Sequence, residues 1–163
     1  MRTRRPTTTA LEEQRMPVRV RLAAAWASFM FLYIYVDILA FYKPGVVDDI
    51  LVGIVWQFDI TQTWAITALS LLAIPILMVV LSVALPARAA RIATLIVAAI
   101  QVPFAAFNAV GEVGGSWLAF YVLGVALELI VLVFILKWAR AWPRTAAITG
   151  TATGADRAAR HVR

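Results

Sequence analysis

Four long, predominantly apolar runs constrain the fold of this chain more than any other feature. They cover residues 22–42, 64–85, 92–110 and 117–138. Each is long enough to cross a bilayer, which takes about 20 helical residues. The runs lack the alternating pattern of a barrel strand, and backbone amides in hydrocarbon need internal partners. The sequence therefore predicts an all-α fold, a four-helix transmembrane bundle.

The composition excludes most classes of soluble protein. Hydrophobic residues make up 63% of the 163 residues and charged residues only 15%, against about 45–50% and about 25% in a soluble domain. The chain has no cysteine, and its single histidine, His161, lies in the C-terminal tail. This argues against disulfides, thiolate metal sites and histidine-based catalytic centres. We therefore expect no catalytic residue, no metal ligand and no cofactor, and the pattern does not favour an enzyme.

The distribution of charge along the chain predicts its topology. Arginines precede the first span, basic residues follow the fourth, and the short second connection holds Arg88 and Arg91. The other two connections are mainly acidic. The positive-inside rule then places both termini in the cytoplasm. We expect these basic residues to contact anionic lipids, which accounts for the net charge of +6 without nucleic-acid binding, for which no motif is present.

The segments outside the spans are short. Residues 1–20 and 143–163 are rich in Thr, Ala, Gly and Arg, and we predict two disordered cytoplasmic tails on either side of a membrane domain at 21–142. Neither tail is long or apolar enough to fold alone.

The first connection is the one segment outside the spans with a structural pattern of its own. Its residues 45–55 carry apolar side chains at helical spacing, which predicts a short interfacial helix on the outer face, ending around Gly53. Trp56 and Phe58 are expected at headgroup level. Asp59 followed by Gln62 resembles a capping box that starts the second span. The tryptophans near span ends, Trp26 among them, are predicted to form an aromatic belt.

Polar side chains within or beside the spans are the candidate functional residues, because each is costly at hydrocarbon depth. The candidates for a ligand or proton pathway are Tyr33, Asp37, Gln101, Asn108, Glu112, Tyr121 and Glu128. Spacings of four or seven residues place the candidates of each helix on one face. The second span adds Thr63, Thr67 and Ser70 at similar spacing. We expect all these polar stripes to face the interior of the bundle, because outward they would meet lipid.

Glu128 lies near the middle of the fourth span, and Gln101 lies at a similar height in the third. Desolvation without a cationic partner favours the neutral acid, so we expect Glu128 to be protonated at rest, with Gln101 as its hydrogen-bonding partner. Asp37, Asn108 and Tyr121 are expected together nearer the outer face. The sequence thus predicts an inward polar pocket in the outer half of the bundle.

Several motifs point to a known family. Residues 33–39 read Tyr-Ile-Tyr-Val-Asp-Ile-Leu, close to a Tyr-x-Tyr-Ala-Asp-Ile-Leu pattern with Val36 in place of alanine. Further points of likeness are Pro44, residues 60–62, residues 74–76, Met78, Ser82, Tyr121, Glu128, Lys137 and Trp138. From about residue 16 to 142, the chain resembles a family of small bacterial four-span membrane proteins of unknown function. The resemblance implies this fold and a bacterial inner (plasma) membrane, but no activity.

Three functions compete on this evidence. The polar pocket favours binding or transport of a small solute or ion, coupled to protons through Asp37 and Glu128. Four helices enclose little volume, so a substantial pathway would need a homodimer. The alternative is a structural or assembly subunit of a larger membrane complex, suggested by the lack of any substantial water-exposed domain. An enzyme acting on a lipid or quinone is a third reading, weakened by the lack of a nucleophile constellation, metal cluster or phosphate loop.

Overall fold

Four long helices dominate the structure, a computed structural model that describes residues 16–143. The described elements are α1 (Val18–Ala40), α2 (Val46–Leu51), β1 (Ile54–Val55), β2 (Phe58–Asp59), α3 (Gln62–Ala84), α4 (Ala87–Val110) and α5 (Leu118–Arg140). The four helices α1, α3, α4 and α5 are long and apolar enough to cross a membrane. The prediction of an all-α bundle with four spans is confirmed, and the chain is a multi-pass membrane protein. The predicted disordered tails lie almost wholly outside the described residues.

The long helices form an up-and-down bundle. α1 packs against α3 and α5, and α4 packs against the same two helices. Arg19 of α1 donates a hydrogen bond to the Val83 carbonyl of α3 (3.1 Å), and Arg91 of α4 donates to the Ala139 carbonyl of α5 (3.0 Å). Each bond joins the start of one helix to the end of its neighbour, and both bonds lie at the same end of the bundle. We call it the terminal end, and we call the other, which carries residues 41–61 and 111–117, the loop end.

The start of α3 differs from the predicted capping box. Thr61 is the N-cap, and its hydroxyl accepts a hydrogen bond from the Trp64 backbone N–H at 3.1 Å. The prediction of Asp59 as cap is wrong, because Asp59 lies in strand β2, paired with Ile54 of β1. Because α3 begins at Gln62, the residue directly before it is Thr61, and its side chain satisfies one of the free N–H groups of the first turn.

The connection between α1 and α3 folds into a short helix followed by a hairpin. Helix α2 ends before Gly53, which has a φ of +85°. The antiparallel β1–β2 hairpin was not predicted. Trp56, at its tip, adopts a φ of +54° and packs edge-on against Phe107 at 6.0 Å. A Cβ at Gly111 would lie 3.1 Å from the Trp56 Nε1, so the hairpin rests closely on the end of α4.

The apolar core lies in the terminal half of the bundle. It consists of Leu22, Ala25, Trp26, Phe29, Met30, Met78, Ala98, Leu132, Ile135 and Ala139. Trp26 is fully buried and packs edge-on against Phe29 at 5.9 Å. Its assignment to the aromatic belt is therefore wrong. Because α1 begins at Val18 rather than at the predicted residue 22, Trp26 lies about two turns inside the helix.

The loop-end half is packed on one side and open on the other. α4 and α5 bury residues along most of their length, whereas α1 buries none beyond Met30 and α3 none before Pro75. The Thr63, Thr67 and Ser70 side chains of α3 are all exposed, so the prediction that this stripe faces inward is wrong. The Thr67 and Ser70 hydroxyls donate to carbonyls one turn back in α3, at 2.9 and 2.7 Å, and need no partner across the bundle.

Candidate functional site

The candidate polar side chains gather in the loop-end half at three heights. We refer to six of these residues together as the polar cluster: Tyr33, Asp37, Gln101, Asn108, Tyr121 and Glu128. Asp37, Asn108 and Tyr121 lie two or three residues from the loop ends of their helices, about 3–4.5 Å along the axis. Tyr33 follows at about 10 Å, and Gln101 and Glu128 at about 14–15 Å, for a rise of 1.5 Å per residue. Antiparallel helices of nearly equal length produce these shared heights.

Asp37 is the most accessible member of the polar cluster. Its side chain is exposed, whereas those of Asn108 and Tyr121 are half-buried. It lies near enough to Tyr33, Tyr121 and Glu128 for its charge to act on all three. Within the described residues it forms no salt bridge. Asp37 therefore lies on the open side of the bundle, and its charge acts on Tyr33 and Glu128, which lie further from the loop end.

Tyr33 lies between the two levels of the polar cluster, that of Asp37 near the loop end and that of Glu128 further in. Its ring stacks on that of Phe104, with centroids 6.2 Å apart and planes 12° from parallel. α1 and α4 are diagonal partners in the bundle, so this contact crosses the interior. The Asn108 side chain lies beside the Tyr33 hydroxyl, and Glu128 is within electrostatic range of it. Tyr33 thus stands between the accessible Asp37 and the buried Glu128.

Glu128 is the deepest acid of the polar cluster and is nearly inaccessible, at 2% exposure. Its Oε2 atom has no hydrogen-bond partner among the described residues. Gln101 is also buried, at 7% exposure, but it does not bond to this oxygen. The expected hydrogen bond between Gln101 and Glu128 is not formed among the described residues, because equal height does not decide whether two side chains turn towards each other.

A glycine brings α1 close to α5 one turn from Glu128. A Cβ added at Gly124 would lie 2.9 Å from the Val36 Cγ2, closer than side chains approach without a shift. Gly124 therefore sets the spacing between the helices that carry Asp37 and Glu128. Spacing along the sequence gives no sign of this contact, because Val36 and Gly124 lie on different helices.

An ion pair closes the loop end near the polar cluster. The Lys43 ammonium bonds to the Glu112 carboxylate, with side chains 27% and 15% exposed. The same ammonium lies 5.9 Å from the centroid of the Tyr121 ring. Glu112 was predicted as a site residue, but Lys43 was missed. The sequence marks Lys43 only as a lone basic residue in an acidic connection. Its partner lies 69 residues away, and local spacing does not predict such a contact.

Two grooves lie at the terminal end, away from the polar cluster. One, of about 390 Å³, is lined by Val133, Leu136, Lys137, Arg140 and Ala141. The other, of about 290 Å³, lies between α1 and α5 and is lined by Met16, Arg21, Ala24, Ala25, Ser28, Val131, Phe134 and Trp138. No member of the polar cluster lines either groove. Among the described residues, no group of three His, Cys, Asp or Glu side chains is placed to hold a metal ion.

Comparison with known proteins gives a family but no activity. A family model described as a family of unknown function, DUF6326, matches residues 11–149. The chain belongs to DUF6326. No curated protein and no solved structure matches the chain significantly. DUF6326 agrees with the sequence resemblance in being a family of unknown function, so any statement about the activity of this DUF6326 member must come from the polar cluster itself.

Proposed function

We propose that this DUF6326 member binds a small solute or ion in the polar cluster and transports it in exchange for a proton on Glu128. The observation that carries the proposal is the nearly inaccessible Glu128 carboxyl, with one oxygen unpaired among the described residues. An unpaired carboxylate is expensive in a buried site, so the resting group holds a proton. A ligand that supplies a partner for the carboxylate releases that proton, and binding and protonation then compete.

The arrangement of the polar cluster supports entry from the loop end. Asp37 is exposed there, Tyr33 lies below it, and Glu128 lies deepest, about 15 Å from the end of its helix. Within the polar cluster, a ligand would pass the level of Asp37, Asn108 and Tyr121 first and reach Glu128 last. The half-buried Asn108 and Tyr121 offer hydrogen-bonding groups at the level of Asp37. Aromatic and polar groups along one path suit a small ligand that sheds its water in stages.

Reconstitution of the purified chain in liposomes with an imposed pH gradient tests this proposal. Internal pH and the uptake of a panel of small cations and neutral solutes are followed together. We expect gradient-dependent uptake that Asp37→Asn weakens about tenfold, as the loss of about 1.4 kcal/mol of charge interaction implies. Asp48→Asn, the same change at an exposed position of α2, should leave uptake unaltered.

Two results would remove the transport proposal. One is that Asp37→Asn and Glu128→Gln both leave every measured flux and binding event at the wild-type level. The other is a stoichiometric heterologous partner retained in mild detergent, together with no flux from the chain alone. The second result favours the assembly subunit instead.

For the membrane setting, we propose a bacterial inner membrane with the terminal end in the cytoplasm. The supporting observation is charge segregation among the described residues. The basic side chains at the terminal end are Arg19, Arg21, Arg88, Arg91, Lys137 and Arg140, whereas the described acids lie at the loop end or within the helices. In this orientation the basic rims of both grooves meet the anionic leaflet, and we propose anionic phospholipids as their contacts.

Single-cysteine labelling should reveal this orientation, because the native chain has no cysteine. Ser116→Cys lies at the loop end and Ala89→Cys at the terminal end, both at exposed positions. A membrane-impermeant maleimide should label Ser116→Cys in intact cells and Ala89→Cys only after permeabilisation. The reverse pattern would invert the topology, and labelling of both from outside would contradict the four-span arrangement.

A further inference from the structure

The ion pair at the loop end already holds a cation where an incoming ligand would first bind. The Lys43 ammonium contacts the Glu112 carboxylate and lies 5.9 Å from the Tyr121 ring centroid. A carboxylate beside the face of an aromatic ring is a recognised environment for ammonium groups. We infer that the ligand of the polar cluster is an organic ammonium ion, and that Lys43 is a tethered competitor for its entry site. This inference rests on the proposed function.

The chemistry below the ion pair favours the same class of ligand. Asp37 and Glu128 form no salt bridge within the described residues, so their carboxyl groups are available to a cation. The stacked Tyr33 and Phe104 rings add aromatic surface on the way to Glu128. Lys43 is the one basic side chain in the loop-end half among the described residues. Acids and rings without a second cation attract an ammonium and repel an anion.

The tether on Lys43 links ligand entry to the first connection. Lys43 follows the end of α1 by three residues, and its backbone N–H donates to the Ala40 carbonyl at 3.0 Å. The same connection rests on α4 through Trp56 over Gly111, next in sequence to Glu112. A ligand ammonium that replaces Lys43 at Glu112 therefore breaks one of the contacts between this connection and the end of α4.

The test is binding of tetraethylammonium to the purified full chain, measured by calorimetry. Lys43→Met removes the charge but keeps a long, flexible side chain. We expect its affinity to rise about tenfold, because a site open only one-tenth of the time lowers apparent affinity by that factor. Lys43→Arg, which keeps a cation, should stay within about twofold of wild type. Lys137→Met, the same substitution at the exposed terminal end of α5, is the matched control and should bind as wild type does.

The outcomes separate this inference from the proposed function. If Lys43→Met lowers thermal stability but leaves tetraethylammonium affinity unchanged, the ion pair only stabilises the fold, and the inference fails. It also fails if a neutral alcohol of similar size, or an anion, binds as well as tetraethylammonium. In either case, loss of gradient-driven flux in Glu128→Gln would still support the proposed function, since that variant leaves Lys43 and Glu112 in place.

Discussion

Proteoliposomes that carry Glu128→Gln should show no uptake driven by a pH gradient above that of empty vesicles. Glutamine has nearly the shape of a protonated glutamate and fits the same site, which is 2% exposed. It can still donate and accept hydrogen bonds, but it cannot release a proton. The expected loss therefore lies in coupling rather than in folding. Positioned proton-transfer groups contribute about 10²–10⁴-fold in enzymes, and we expect a loss of comparable size.

Two further measurements make this expectation specific. Glu128→Asp keeps the proton on a side chain one methylene shorter, so coupled uptake should persist at a reduced rate. Exchange of labelled for unlabelled ligand without a gradient should also fall in Glu128→Gln, because the ligand and the proton compete for the same carboxylate. Gradient-driven uptake at the wild-type rate in a folded Glu128→Gln would exclude this residue from the proton pathway.

The four spans were predictable from the sequence because bilayer thickness imposes a length on each helix. The predicted runs and the observed helices differ by at most five residues at either end, as with 22–42 against Val18–Ala40. The direction in which each face points was less predictable. In α3 the polar stripe faces outward because serine and threonine hydroxyls bond to their own helix. Hydroxyl groups that are already bonded within their own helix need no partner on a neighbouring helix, so their stripe can face outward.

The candidate site was predictable in height but not in contact. Asp37, Asn108 and Tyr121 share a level because they lie two or three residues from the loop ends of antiparallel helices of nearly equal length. Contacts within a level depend on helix rotation and on the course of the connections. The Lys43–Glu112 pair joins two connections, and only the fold of residues 41–61 brings Lys43 to the end of α4.

A second large effect is expected from substitution of Gly124. Gly124→Ala should lower the stability of the bundle, because the new Cβ would lie 2.9 Å from the Val36 Cγ2. Valine has little freedom to rotate away in a helix, so α1 and α5 must separate. Overpacking of this kind costs about 1–3 kcal/mol. Thermal unfolding in detergent should show a lower Tm for Gly124→Ala, and the transport rate should fall as well, since Glu128 lies one turn away.

A second substitution at Val36 distinguishes this steric cause from a general effect of changing a helical glycine. In Gly124→Ala with Val36→Ala, the methyl group at 2.9 Å is gone, and Tm should recover towards that of Val36→Ala alone. Residues in contact couple by about 0.5–3 kcal/mol in such double-mutant cycles. Alanine is a better helix former than glycine, so without the clash Gly124→Ala should be neutral or stabilising. Additive losses in the double variant would place the cause elsewhere than the α1–α5 contact, and Gly124 would then not set the spacing between Asp37 and Glu128.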